Sequence, residues 1–144
     1  MAKMRAHEVY EAELRSGTAY LGSFLSVKEA EQTIRDITRT AWWRRRTTVH
    51  EIELRYKPRN KLATAVVLDE TDMAGYRRKG LITLVGGGLC PGLVYHELGH
   101  IISYDETEDH GPKFIKAQLD IIYHFHSPWA ATLLEESYQK AGLL

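Results

Sequence analysis

The residues of this chain best suited to chemistry are two histidines four positions apart, His96 and His100, with Glu97 beside the first. Residues four apart lie on one face of an α-helix, so both imidazoles could bind the same metal ion. Glu97 lies next to that face, where its carboxylate could take a proton from a metal-bound water. This pattern is typical of a zinc-binding helix that activates water for hydrolysis.

The residues around this motif favour a helix that begins after a break at Pro91–Gly92. Gly99 lies inside the motif, where a glycine costs about 1 kcal/mol relative to alanine, so we expect a neighbouring segment to pack closely against it. The alternative is a core helix with two hydrogen-bonded histidines. Apolar side chains recur around the motif with helical spacing: Leu93, Val94, Leu98, Ile101 and Ile102.

A catalytic zinc ion takes three protein ligands and keeps a further position open, so the motif requires a third ligand. The main candidate is His110. It follows an acidic loop, residues 104–109, and it precedes Gly111–Pro112, which predict the start of a new helix. A histidine at that junction could fold back onto the first helix.

Two other sets of ligands stay open at this point. Glu135 or Glu136 could supply a carboxylate from a downstream helix, and Asp105 and Asp109 of the acidic loop are within reach. Each set also has a simpler interpretation. The two glutamates could be a solvated helix face, and the loop acids could orient His110 without binding the metal.

The segments His96–His100 and His110–Phe114 together resemble the SprT-like metallopeptidases, in which an H-E-x-x-H helix precedes a third histidine in an H-G-x-x-F/W context. The resemblance covers about residues 62–126. It implies a zincin-like fold, one Zn²⁺ ion, a peptide or protein substrate, and frequent work close to DNA. The ligands and general base that it carries over are His96, His100, His110 and Glu97.

The patterns along the chain predict an α+β fold with an N-terminal helix, a small mixed sheet, the H-E-x-x-H helix and two C-terminal helices. A capping box at Ser26 predicts the first of these helices. The predicted strands are residues 7–14, 48–56, 63–68 and 81–85. The predicted helices are residues 26–44, 92–104, 112–126 and 128–142.

The strand that precedes the predicted metal helix has two possible roles. By resemblance to zinc peptidases with this layout, residues 81–84 would lie at the edge of the sheet, where an extended peptide can add a strand. The alternative is an ordinary strand in the core of the sheet.

Composition fits a single domain of residues 1–144, because 44% hydrophobic residues are enough for one core. The net charge is zero, which argues against strong nonspecific binding to nucleic acid over the whole surface. Cys90 is the only cysteine, which excludes an internal disulfide and fits a reducing compartment. Without a signal peptide or a membrane-spanning stretch, we expect a cytoplasmic protein with no membrane partner.

Two basic runs leave open a different class of function, nucleic-acid binding. Trp42–Arg46 combines aromatic and basic side chains that could stack on and neutralise a nucleic acid, and Arg77–Lys79 is a second basic run. Alternatively, Trp42 completes a helix core and the arginines form a solvated helix end, where the helix dipole favours cations.

Taken together, the motifs predict a zinc peptidase. The alternatives are a non-peptide metallohydrolase, and a nucleic-acid-associated protein with a structural or vestigial zinc site.

Overall fold

The computed structural model describes residues 2–24, 26–86 and 89–144, with side chains from residue 5 onward. This part of the chain forms a mixed α+β fold with six helices and one three-stranded sheet. No helix among these residues combines the length and the apolar character needed to cross a membrane. In chain order the elements are α1 (Ala2–Ser16), α2 (Val27–Thr38), α3 (Ala41–Arg46), β1 (Glu51–Lys57), β2 (Thr64–Asp72), β3 (Gly75–Val85), α4 (Pro91–Ile102), α5 (Pro112–Phe125) and α6 (Pro128–Lys140).

The first element differs from the sequence prediction. Residues 7–14 were expected to form a strand, and that prediction is wrong because they lie within the helix α1. Val9, Ala12 and Glu13 are buried on one side of this helix, at helical spacing. That side faces α6, where the Ser137 hydroxyl donates a hydrogen bond to the Ala12 carbonyl at 2.9 Å. Packing against a distant helix therefore decides the structure of a segment whose own pattern was ambiguous.

The single helix predicted for residues 26–44 is divided in two at Thr40. This residue is extended, and its side chain accepts a hydrogen bond from the Trp43 amide at 3.1 Å, which caps α3. The break also changes which tryptophan enters the core. Trp43 is fully buried and its indole nitrogen donates to the Val49 carbonyl at 2.7 Å, whereas Trp42 is only half-buried.

The sheet has the order β1–β3–β2, with β1 parallel and β2 antiparallel to the central β3. Leu81 of β3 therefore faces Glu53 on one side and Val66 on the other. Of the two roles left open for residues 81–84, the open edge is wrong and the ordinary core strand is confirmed, because β1 and β2 pair with β3 on its two sides. Within the described sheet, β2 is the edge strand next to α4.

The metal-motif helix α4 packs against the sheet on one side and against α5 on another. Two glycines allow close contacts of α4, one with the segment after α1 and one with α5. A Cβ atom on Gly92 would lie 2.4 Å from the Thr18 carbonyl oxygen, and one on Gly99 would lie 3.1 Å from the Phe114 ring. The expected close partner of Gly99 is thus confirmed, and it comes from the segment that also carries His110.

Candidate metal centre

Three imidazoles from α4 and the loop before α5 meet at one point. His96 and His100 project from the same face of α4, as their spacing predicts. The Nε2 atom of His110 lies 3.2 Å from His96 Nε2 and 3.1 Å from His100 Nε2. One ligand atom from each histidine lies within 4.8 Å of the other two, so the group could hold a metal ion.

The donor set fits a tetrahedral metal ion. Two nitrogens bound to the same tetrahedral zinc at ~2.05 Å lie ~3.3 Å apart, which is close to the observed separations. Burial and the neighbouring histidines lower the pKa of His100 to about 3, and burial also lowers the pKa of His110. Both imidazoles are therefore neutral, which is the form that binds metals.

Phe114 contacts all three imidazoles from the first turn of α5. The distances from its ring centroid to the histidine ring centroids are 4.8 Å for His96, 4.3 Å for His100 and 4.9 Å for His110. The ring itself is fully buried and packs against Gly99. Phe114, four residues after His110, is thus the apolar wall against which the three imidazole rings pack.

A carboxylate that no sequence pattern pointed to orients the first histidine. Glu13 of α1 is buried, and its Oε2 atom accepts hydrogen bonds from His96 Nδ1 and from Gln118 Nε2, both at 2.5 Å. Tyr138 donates to the Gln118 carbonyl oxygen and so fixes this amide. With Nδ1 bonded to Glu13, Nε2 is the His96 nitrogen left to bind a metal, as in carboxylate–histidine–metal arrangements.

The backbone of His110 is held in an unusual conformation from two sides. Its φ of 58° lies in the left-handed region, which non-glycine residues rarely adopt. Arg5 Nε donates a hydrogen bond to the His110 carbonyl at 2.6 Å. On the other side, the Glu106 carboxylate accepts from the amides of Lys113 and Phe114 and caps α5. Backbone strain of this kind concentrates at functional sites.

Asp109 contacts the outer nitrogens of two of the histidines. Its carboxylate oxygens lie 3.6 Å from His100 Nδ1 and 3.3 Å from His110 Nδ1. Neither contact is a hydrogen bond, and His110 Nδ1 has no hydrogen-bond partner among the described residues. Asp109 therefore occupies the position of a residue that orients ligands, which was the alternative interpretation of the acidic loop.

The rival ligands lie outside the group of three histidines. Glu135 and Glu136 are exposed to solvent on α6. Asp105 lies 3.8 Å from the Lys113 ammonium group, with which it forms a surface ion pair. Among the described residues, His110 is thus the one that joins His96 and His100.

Glu97 is buried next to His96, and one of its carboxylate oxygens forms no hydrogen bond with the described residues. It is only 3% exposed, and its Oε2 atom has no hydrogen-bond partner among the described residues. Burial is the main reason that its pKa rises to about 7. A buried carboxylate usually has its hydrogen bonds satisfied, so this oxygen is available to accept a hydrogen bond from a group bound beside His96.

Two clefts have members of the group of three histidines in their walls, and we call them the β2 cleft and the tyrosine cleft. The β2 cleft has a volume of about 380 Å³ and contains His100 and His110 in its wall. The tyrosine cleft has a volume of about 200 Å³ and contains His96. The rest of the β2 cleft is formed mainly by residues 65–67 of the edge strand and by loop residues 106–109. The rest of the tyrosine cleft is formed mainly by Tyr10, Leu14, Tyr20 and Leu93.

Tyr10 of α1 covers one side of the histidine group. Its ring stacks on His96 with a centroid distance of 5.4 Å and meets the edge of His110 at 5.5 Å. Burial and the nearby Glu97 raise the pKa of Tyr10 to about 12, so its hydroxyl keeps the proton. This residue escaped the sequence analysis together with Glu13, because the helix that carries both was taken for a strand.

The basic run on β3 is neutralised by carboxylates of the neighbouring strands. This pairing leaves little free positive charge for a nucleic acid on this face of the sheet. Each of the three cations has a carboxylate partner within 3.1 Å: Arg77 with Glu70, Arg78 with Asp69, and Lys79 with Glu53.

In the other basic run, Trp42–Arg46, the ring of Trp42 is already covered by neighbouring side chains. Trp42 stacks on His124 with a centroid distance of 5.3 Å, and the Arg46 guanidinium lies 4.2 Å from the Trp42 ring. Arg46 also pairs with Asp120 at 3.1 Å. These contacts favour the interpretation of this run as a packed helix end with solvated arginines.

Comparison with models of known protein families, with curated proteins and with solved structures finds no match for this chain. The geometry of the site combines three convergent imidazoles, a buried carboxylate oxygen without a hydrogen-bond partner among the described residues, and two clefts that each have one or two of these histidines in their walls.

Replacing Glu13 by glutamine should weaken metal binding. The variant keeps the shape of the side chain but removes the charge that fixes the His96 tautomer, so we expect Zn²⁺ affinity to fall by about 10- to 100-fold. Competition with a chromogenic chelator measures this change. Glu11→Gln, which changes a half-exposed side chain on the same helix, serves as the control and should bind as the wild type does. Equal affinities for the two variants would contradict the role assigned to Glu13.

The burial of Glu97 should make the metal-free protein less stable as the pH rises. Because its pKa is about 7 in the folded state and 4.5 in the reference state, the folded state retains a proton that the unfolded state releases between these values. Stability is then lost as the pH rises through this window, by up to ~3 kcal/mol at ~1.4 kcal/mol per pKa unit. In urea denaturation with a chelator present, Glu97→Gln should stabilise the protein more at pH 8 than at pH 5. An equal effect at both pH values would rule this out.

Proposed function

We propose that this protein is a zinc-dependent peptidase with a zincin-like fold, similar to the SprT-like metallopeptidases. The observation that carries the proposal is the meeting of three imidazole nitrogens beside a buried carboxylate with a free oxygen. His96, His100 and His110 would hold the metal, and nitrogen donors of this kind are typical of zinc sites. Bound zinc supplies a Lewis acid that polarises a carbonyl group and lowers the pKa of water towards neutrality.

Glu97 acts as the general base in this proposal. Its Oε2 atom accepts a proton from the attacking water and later transfers it to the nitrogen of the leaving amine. A pKa of about 7 suits both steps, because the carboxyl group can gain and lose the proton near neutral pH. Burial of the side chain keeps bulk water from competing for that proton.

The surrounding residues keep the ligands in place during the reaction. Glu13 retains the Nδ1 proton of His96, and Asp109 lies beside the Nδ1 atoms of His100 and His110. These carboxylates balance positive charge at the site and limit rotation of the rings. Phe114 excludes water from the apolar side of the group.

The edge strand favours a peptide over other hydrolysable substrates. β2 presents unpaired backbone groups beside the β2 cleft, and an extended peptide can pair with such an edge. Along β2, Val66 and Leu68 are exposed, whereas Ala65 and Val67 are half-buried. This alternation is that of a strand with one face towards the protein and the other towards solvent.

Hydrolysis should depend on the Glu97 carboxylate, while metal binding should not. Glu97→Gln keeps the shape of the side chain and leaves the three histidines intact, so we expect full metal content and a fall in kcat by about 10²- to 10⁴-fold. Fluorescently labelled casein, an unfolded protein substrate, provides the assay. Glu135→Gln makes the same change on the exposed face of α6 and should leave turnover unaltered. Full turnover by the Glu97→Gln protein would reject the mechanism.

A further inference from the structure

Exposed apolar side chains collect in the tyrosine cleft. Tyr10, Leu14 and Tyr20 are 43%, 59% and 58% exposed, and all three line this cleft. Tyr10 and Leu14 are four residues apart and so lie on the same face of α1. Large apolar groups scattered singly over a surface need no explanation, but a group of them in one concave site indicates binding.

The far wall of this cleft is held in place by backbone contacts. The amide of Gly92 donates a hydrogen bond to the Tyr20 carbonyl at 2.7 Å, and this approach is possible because Gly92 has no side chain. The segment that carries Tyr20 is therefore fixed on the start of α4. A preformed site loses less conformational entropy on binding than a mobile one.

The cleft begins at a ligand of the proposed metal site. His96 belongs to its wall, and the Tyr10 ring stacks on the His96 ring. Glu13 also borders the cleft, but its Oε2 atom is already bonded to His96 and Gln118. With that carboxylate engaged, the accessible surface of the cleft is mainly hydrocarbon and phenol.

We infer that the tyrosine cleft is a specificity subsite that binds a bulky apolar side chain, aromatic or branched aliphatic, next to the bond that is hydrolysed. The inference rests on the proposed function, because the cleft is placed relative to His96 as a metal ligand. Its volume of about 200 Å³ is sufficient, since a cavity of roughly 150 Å³ accepts a benzene molecule. The β2 cleft, with its acidic loop, lies on the side of His100 and His110 and would hold the rest of the peptide.

Two hydroxamic acids test this subsite without a known substrate. Acetohydroxamic acid offers only the metal-binding group, whereas 3-phenylpropanohydroxamic acid adds an aromatic group that can reach a neighbouring subsite. Calorimetric titration of the zinc-loaded wild type should show that the phenyl compound binds roughly tenfold more tightly, because its ring leaves water. The gain is moderate since the cleft is open on one side.

Two double variants with matched exposure separate the subsite from general surface effects. In Leu14→Ser/Tyr20→Ser, the advantage of the phenyl compound should disappear while the affinity for acetohydroxamic acid stays the same. Leu144→Ser/Tyr123→Ser removes side chains that are 57% and 58% exposed elsewhere, and it should keep the full advantage.

The two ways in which the inference can fail are distinguishable. Equal affinities of the wild type for the two compounds, or an advantage that survives in Leu14→Ser/Tyr20→Ser, would overturn the subsite and leave the metal site intact. Failure of acetohydroxamic acid to bind the zinc-supplied wild type would overturn the proposed metal site, and the subsite with it.

Discussion

The structure depends on one costly arrangement, three imidazoles packed with their Nε2 atoms 3.1–3.2 Å apart around His110. His110 Nε2 carries either one proton or one lone pair, so it can form only one of its two close contacts as a good hydrogen bond, and burial leaves little water to satisfy the other. A bound cation would instead accept a lone pair from all three imidazoles. The left-handed backbone at His110, and Gly99, which lets α4 and α5 approach, are consistent with a fold built around this group.

The N-terminal helix α1 completes the site, although it lies far from the motif in sequence. Glu13 orients His96 across 83 residues, and Arg5 holds the His110 carbonyl across 105 residues. Tyr10 of the same helix covers the ring of His96. Because α1 also packs against α6, and α6 packs against α5, the first helix is tied to the helix that follows His110. Activity and stability should therefore be coupled through this helix.

The parts of the site that the sequence could predict are those set by local geometry. A spacing of four residues on a helix brings His96 and His100 together whatever surrounds them, and Gly111–Pro112 marks the helix start beside His110. Glu13 was beyond reach, because its role depends on the packing of α1 against distant helices. The strand order could not be predicted from the sequence either. β1 pairs in parallel with β3 although β2 lies between them in the sequence, and such a pairing leaves no local pattern.

The central claim is that His96, His100 and His110 bind one metal ion, and elemental analysis of purified protein tests it most directly. We expect about one zinc per wild-type chain and a greatly reduced content in His110→Ala, because two histidines alone bind zinc weakly. His50→Ala, which removes an exposed histidine on another surface, should retain the metal. Full zinc content in His110→Ala would contradict the three-histidine site. The absence of metal from the wild type, even after zinc is supplied, would contradict the account as a whole.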